Sequence, residues 1–458
     1  MRSLKWLPSS ALSAGAFLGL CSCGDSGTAG SSGPQPPPGW SAAQALETPG
    51  PSSIYGNWGK AITTDGAGHV DVVWLQGGST NDDGTVALVG TGAIMFAESA
   101  DGGATWSRTA LTAVAPNTGL PKIASSDSDI YVVWSAQDLA SSNLQIFSLH
   151  GTRSGAQVQW STPTEISNAP PGANANFPAV APDGDDLHVA WSDNRNAGIT
   201  EVYYARSLDK GATWSTPMAI SPVDGFNSWT PSIAAYSGDV YIAWTDARFG
   251  TSACNTNGAA CHEVLYFRSS GDAGQTWGTE TQLTCDPSIY TYAPSLFVED
   301  TTLHIAYFQG NPAPTGSMSL YYLRGTNRGA SLAACSGTQG TQPAIDPHYP
   351  SGDTVLSAWR PNISVHDGTV HMVWWGELTD DYETGQSKVY YSESSDGVSW
   401  AAVTSLTPQS DGATYRALAP NISLSADGST VYAIWEDHRN DPDALDPDYE
   451  LYFSSGTF

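Results

Sequence analysis

The 458 residues carry 45 Asp and Glu against 17 Lys and Arg, a net charge of −28 that repels nucleic acid and anionic lipid and favours weak cation binding. Forty per cent of the residues are apolar, enough for a large core, and 47 Gly, 29 Pro, 17 Trp and 20 Tyr favour turns and strands over helices.

The N-terminus reads as a targeting signal. Arg2 and Lys5 precede an apolar run from Ala11 to Leu20, too short to span a membrane and stay there. The run closes on Leu20-Cys21-Ser22-Cys23-Gly24, which resembles a bacterial lipoprotein signal: Leu three residues before Cys23, and a small residue immediately before it. The resemblance implies a signal peptide over 1–22, lipidation of Cys23 and a place in the bacterial cell envelope, with the lipid anchor as the sole membrane contact. Removal of Arg2 and Lys5 leaves 15 basic and 45 acidic residues, a net −30. Residues 23–39 form a linker, Gly/Ser-rich and then proline-rich, flexible and then stiffer. Export places Cys254, Cys261, Cys285 and Cys335 in an oxidising compartment, where three pairings exist. Cys254–Cys261, closing a short loop, with Cys285–Cys335 is the expected one. No Cys/His cluster points to zinc.

Residues 40–458 are repetitive. An alternating apolar run ending in an aromatic recurs at Trp74, Trp134, Trp191, Trp244, Tyr307, Trp374 and Trp435, at intervals of 60, 57, 53, 63, 67 and 61 residues. Short strands precede each run, among them PKIAS at Pro121, PSIAA at Pro231 and PNISV at Pro361. A third strand follows, such as EVYYARS from Glu201, then a turn and a fourth strand beginning at a Trp. Four strands per unit and seven units predict an all-β, seven-bladed β-propeller, with six blades as the second choice. The last unit stops after three strands, and Trp40 to Glu47 is an orphan fourth strand. Joining the two closes the ring and removes an open edge.

The turn itself repeats: SADGGATW from Ser99, SLDKGATW from Ser207, SGDAGQTW from Ser270 and the shorter SSDGVSW from Ser394. Asp101, Asp209, Asp272 and Asp396 are placed to accept backbone N–H bonds and hold the turn. This is the Asp-box, or BNR repeat, and over residues 40–458 the chain resembles the sialidase superfamily and its BNR relatives. The resemblance implies that the boxes are structural and lie on the face opposite the family's active site. Sialidases have six blades, grip the substrate carboxylate with three arginines, and use a Tyr–Glu nucleophile pair and an Asp acid/base. Their first-strand Arg motif is missing here, where Gly59-Lys60-Ala61-Ile62 stands, and Arg360-Pro361-Asn362-Ile363 is a partial echo.

Three units share Trp-x-Asp-x-Arg, and the same units start the third strand with Glu. That covariation predicts hairpin salt bridges Arg195–Glu201, Arg248–Glu263 and Arg439–Glu450 in place of a substrate-gripping triad. Unit six reverses the charges with Glu377 and Lys388. Ligand candidates are aromatics on inter-blade loops with arginines beside them: Tyr55, Trp58, Trp229, Tyr290, Tyr292 and Trp359, then Arg360, Tyr415 and Arg416. Phe226 and Tyr349 belong to the same loops. The acidic stretch from Asp437 to Glu450 offers oxygen ligands for calcium without EF-hand spacing, and reads first as a solvated loop; no cofactor is required. His188, His304 and His371 occupy equivalent strand positions and read as repeat packing. The expected function is a monomeric, lipid-anchored propeller that binds glycan or protein ligands without chemistry. The alternative is a sialidase-like glycoside hydrolase with a rearranged site, for which Asp224, Asp286, Asp346 and Asp411 are the candidate carboxylates.

Overall fold

The computed structural model describes residues 36–46, 61–77, 90–155, 157–249, 263–284, 290–310, 317–326, 355–378, 386–407, 416–437 and 450–458, together with 328–329, 331–332, 345, 349–350, 353 and 439. All lie in the compact unit Pro34–Phe458. The lipidation residue Cys23 and the four candidate disulfide cysteines lie outside the described residues, as do Tyr55, Trp58 and Tyr415.

Every regular element among the described residues is a β-strand. The alternation Leu187-His188-Val189-Ala190-Trp191 gives a strand, Asp186–Asn196, that is buried along most of its length. It pairs antiparallel with Ala175–Asp183 on one side and Ile199–Ser207 on the other. The same meander recurs along the chain. Four sheets have four strands, one has three, and one has nine. The nine-stranded sheet is two meanders fused where Gly90 pairs with Thr118 and Gly92 with Ala115.

The first strands of the meanders pack on one another in sequence: Ile62–Thr64, Ala115–Ser126, Ala175–Asp183, Ser228–Tyr236, Tyr290–Glu299, Ser357–His366 and Ala417–Leu424, the last of which returns to Ile62–Thr64. Side-chain acceptors tie neighbours together. Ser232 Oγ accepts from the Leu296 N–H at 3.0 Å, Ser295 Oγ from Ile363 at 3.2 Å, and Asn362 Oδ1 from Ile422 at 3.2 Å. Asn421 Oδ1 accepts from Ala61 at 3.1 Å, which links the last first-strand to the earliest. The orphan N-terminal strand behaves as its sequence predicts: Gln44 pairs with Phe453 and Ala45 with Tyr452, completing the last sheet.

Packing between sheets follows from the repeated turn. Asp101 Oδ1 accepts from the Thr105 N–H at 2.8 Å, its Oδ2 from the Thr105 hydroxyl at 2.7 Å, and the Ser99 hydroxyl donates to it at 2.8 Å. Asp209 and Asp272 hold their turns the same way. These donors hold the Asp101 carboxyl down at about 2. The turn then lays its glycine and Trp on an aromatic ring of the preceding sheet. Trp277 meets Tyr204 edge-on at 5.0 Å, and Trp106 meets Phe453 at 5.0 Å. A Cβ on Gly274 would overlap the Tyr204 hydroxyl, and φ is +75° there, so only glycine fits. The histidines set those rings: His188 Nδ1 lies 2.7 Å from the Tyr204 hydroxyl, His304 2.6 Å from Tyr322, and His371 2.7 Å from Tyr391. Trp40, which opens the N-terminal strand, meets Tyr391 edge-on at 5.1 Å and so does for the last sheet what Trp277 does for its own. Trp74, Trp191, Trp244, Trp374 and Trp435 are fully buried at the second strands. Truncating any one of them would cost about 3–5 kcal/mol.

Candidate functional site

The sheet ends opposite the repeated turns are shaped by a second recurrence. Six first strands shift register by a bulge, between Gly119 and Lys122, Asn176 and Ala179, Trp229 and Ser232, Tyr292 and Ser295, Trp359 and Asn362, and Leu418 and Asn421. Each bulge contains a residue of positive φ followed by proline. The residues are Leu120 (52°), Phe177 (52°), Thr230 (49°), Ala293 (46°), Arg360 (50°) and Ala419 (49°). Proline disfavours the right-handed helical region for the residue before it and has no N–H to give the ladder, so an X-Pro pair sits best at a bulge. Positive φ on Phe, Thr and Arg is strained, and strain of that kind gathers at binding and catalytic sites. The bulge re-aims the side chain. All six of these residues line one cavity of about 850 Å³.

One part of the cavity wall is aromatic. Tyr290 stacks on Tyr292 at 5.9 Å, Tyr292 on Phe308 at 5.8 Å, Phe308 meets Trp359 at 5.3 Å, and Trp359 stacks on Trp375 at 5.7 Å. Tyr290, Tyr292 and Trp359 are half-buried and present apolar faces beside polar tips. Trp229 lines the cavity as well. Another part is amide-rich. Asn174 Oδ1 accepts from the Leu144 N–H at 2.9 Å, Asn194 Oδ1 accepts from the Asn174 N–H at 2.6 Å, and Asn176 Oδ1 accepts from the Ser135 hydroxyl at 2.9 Å. Thr200 and Thr230 stand with these amides. Two basic side chains complete the wall, Arg360 and Lys122, and no described lining residue is an Asp or Glu.

Of the ligand candidates, the structure brings Trp229, Tyr290, Tyr292, Trp359 and Arg360 together at this cavity and leaves Arg416 off its wall. Phe226 does not line it, and Tyr349 packs instead against Trp374 and Tyr390. Lys122, Phe177, Phe308 and Trp375 also line it and were not candidates. They sit inside strands whose alternation reads as core; only the X-Pro pairs signal the bulge that turns Lys122 and Phe177 inward.

The arginine partners are corrected. Arg195 is bidentate on Asp193, with Nε 2.9 Å from Oδ1 and a terminal nitrogen 2.5 Å from Oδ2, and it stacks 4.3 Å above Tyr203. Arg248 holds Asp246 at 2.8 and 2.6 Å, also pairs with Glu280, and stacks 3.8 Å above Tyr266. Arg439 pairs with Asp437 and lies 4.1 Å above Tyr452. The aspartate two residues back on the same strand meets the guanidinium fork edge to edge. It also accepts the preceding indole N–H, at 3.0 Å for Trp191 and 3.1 Å for Trp244. Arg195 and Arg248 therefore hold the aspartate of their own strand where the glutamate of the next strand was expected, and each reaches beyond its hairpin as well, Arg195 to the Ser167 carbonyl at 2.7 Å and Arg248 to Glu280.

The glutamates take other roles. Glu201 accepts from the Ser221 hydroxyl at 2.7 Å, and Glu263 from the Tyr292 hydroxyl at 3.0 Å. Burial pushes both carboxyls up to about 7. Glu450 accepts from the Tyr452 hydroxyl at 2.8 Å. Lys388 pairs with Asp353 at 2.6 Å. Among the candidate carboxylates Asp224 accepts from the Phe226 N–H at 3.0 Å, away from the cavity. Asp286, Asp346 and Asp411 lie outside the described residues, as does most of the acidic stretch proposed for calcium. Among the described residues no group of His, Cys, Asp and Glu side chains is placed to hold a metal.

No family model matches the chain. No curated protein matches it either. Solved structures do. An ulvan lyase, described as a new family of polysaccharide lyase and solved bound to -[GlcA(1-4)Rha3S]-, is 12% identical with a TM-score of 0.57, over 90% of this chain and 94% of that one. A protein of unknown function from Dyadobacter fermentans is 13% identical with a TM-score of 0.51, over 92% of this chain and 100% of that one. The Trypanosoma rangeli sialidase in complex with 2,3-difluorosialic acid is 14% identical with a TM-score of 0.45, over 76% of this chain and 55% of that one. This chain thus spans about half the length of that sialidase. The likeness to the ulvan lyase and to the Dyadobacter protein is one of fold alone.

Proposed function

We propose that this chain is a lipid-anchored, seven-bladed propeller of the BNR type that holds a glycan in the cavity at the bulged ends of its sheets. The observation that carries the reading is the row of rings from Tyr290 to Trp375 inside a cavity of about 850 Å³, flanked by amides. Sugar faces stack on aromatic rings while amide and hydroxyl groups take the sugar hydroxyls, and a concave site of this size suits a small saccharide better than a flat protein surface. The seven first strands that follow one another and return to the start support the blade count. Most glycoside hydrolases use two carboxyl groups about 5–9 Å apart, and the described lining holds no Asp or Glu. The reading requires no cofactor. Binding of the purified full-length chain to a glycan array tests it, followed by titration calorimetry on the hits. Binding weakened about fivefold in Tyr290→Ala is the expected result; affinity unchanged by that substitution overturns the site assignment.

One observation favours the hydrolase reading. The Tyr292 hydroxyl, on the cavity wall, donates to buried Glu263, a pairing of the kind that sialidases use as nucleophile and base. Turnover of any fluorogenic glycoside in a panel including α-sialosides, lost in Glu263→Gln, would establish it. Absence of turnover across the panel removes it.

A further inference from the structure

Lys122 is out of place in its ring of positions. Its equivalents after the other bulges are Ala179, Ser232, Ser295, Asn362 and Asn421, small or short side chains. Ser232, Ser295, Asn362 and Asn421 accept a backbone N–H of the next first strand. A lysine ammonium has no acceptor to offer, so Lys122 cannot make that tie. It is 5% exposed, it lines the cavity, and its Nζ is fully enclosed without a hydrogen-bond partner. An unpartnered buried amine contributes nothing to the fold that a methionine would not.

We propose that Lys122 and Arg360 together seat an oxyanion of the ligand, and that seating it brings one proton onto Lys122. The inference rests on the reading of the cavity as a ligand site and adds the charge of the ligand and the regulation of its capture. Arg360, on the cavity wall, and Glu436, on strand Thr430–Asp437, both act on the Lys122 amine, the first disfavouring its charge and the second favouring it. A protonated Lys122 beside Arg360 adds positive charge to the wall that a carboxylate or sulfate offsets. Burial, and then the nearby guanidinium, pull the Lys122 amine down to about 7, so the empty site holds it half protonated near neutrality. An arriving oxyanion reverses both causes: it supplies the missing acceptor and offsets Arg360. An arginine at this position would seat the anion at any pH, because a guanidinium does not titrate. A lysine makes capture depend on proton supply. The proton comes from bulk water, and it returns there when the anion leaves.

The test is calorimetric titration of the full-length chain with galacturonate, galactose and inorganic sulfate at pH 6, 7 and 8, each in two buffers of different ionisation enthalpy. Galacturonate is expected to bind about tenfold more weakly at pH 8 than at pH 6, with uptake of close to one proton at pH 8. Lys122→Arg is expected to bind with no pH dependence and no proton uptake, and Lys122→Met to lose the preference for galacturonate over galactose. Should Lys122→Met fail to fold, Lys122→Arg and the native proton count decide. Sulfate binding with the same proton count identifies a free oxyanion as sufficient; its absence beside galacturonate binding assigns the anion to the sugar. Galactose and galacturonate binding equally, with no proton uptake, overturns the anion seat and leaves the glycan reading standing. No binding of galacturonate or sulfate at any pH overturns the seat whatever the glycan array shows.

Discussion

The two ends of the sheets repeat in different ways. At one end the turn repeats its side chains: Ser, Asp, Gly and Trp return with nearly the same hydrogen bonds at Asp101, Asp209 and Asp272. At the other end the bulge repeats its backbone, with φ between 46° and 52° in six strands, while the side chains at that position run through Leu, Phe, Thr, Ala, Arg and Ala. A conformation that is kept while its side chains diversify marks a place where the backbone serves as a frame and the side chains do the recognising. A conformation kept together with its side chains marks packing. The first end holds neighbouring sheets together, and the second presents different chemistry from each sheet to one cavity.

Several changes would sharpen or break that contrast. The largest effect is expected from Asp246→Ala, which takes the acceptor from the buried Trp244 indole N–H and the Ser228 hydroxyl and one of two carboxylates from Arg248, and should cost about 3–4 kcal/mol in urea unfolding. Glu263→Gln should leave stability nearly unchanged at pH 5; equal losses from the two variants would restore glutamate as the partner of Arg248. At the packing end, Gly274→Ala forces a Cβ onto the Tyr204 hydroxyl at positive φ and should cost about 2–3 kcal/mol by the same measurement. At the cavity end, Tyr290→Ala should weaken saccharide binding by about 1 kcal/mol, roughly fivefold, and shift the unfolding midpoint little. The reverse pattern would make Tyr290 a packing residue and the contrast false.

The carboxyls held in the repeated turns and the glutamates buried at the other end titrate in opposite senses. Asp101 and Asp396 are held at about 2 in the fold, below the ordinary 3.8, so what they contribute is present above pH 4 and lost as pH falls through about 2. Glu201 and Glu263 are raised from 4.5 to about 7, so what they contribute is present below pH 4.5 and lost as pH rises through about 7. Thermal unfolding across pH 2–9 should therefore fall away on both sides, and Glu201→Gln with Glu263→Gln should flatten the upper limb alone. An unchanged upper limb would remove the buried glutamates as its cause.

The repeat in the sequence carries the fold because its parts are local. The Asp turn is closed by residues within four positions of the aspartate, and strand alternation needs only neighbours. The N-terminal closure was legible for the same reason, as a missing strand at one end and a spare one at the other. The site was legible in part. Tyr290, Tyr292, Trp229, Trp359 and Arg360 stood out as aromatics and a cation that break the repeat, but they were expected on inter-blade loops and lie instead in the first strands, at or beside the bulges. Lys122 did not, because period-two alternation assigns each residue a face, and one bulge exchanges the faces beyond it. The Arg–Glu pairing failed for a related reason: covariation along the chain shows that groups share a hairpin, and the choice between Asp193 and Glu201 was settled by bidentate geometry that spacing does not encode.

The side-chain ties from Ser232, Ser295, Asn362 and Asn421 to the next first strand have a consequence for how the cavity responds to its occupant. Moving one of the first strands from Ser228–Tyr236 round to Ile62–Thr64 would stretch at least one of these bonds, so that part of the wall does not open one strand at a time. A ligand then meets a wall already in its final shape and loses little free energy to ordering it. Selectivity in such a wall comes from rejecting what does not fit, and exchange should be quick in both directions, because no closing step stands between encounter and release.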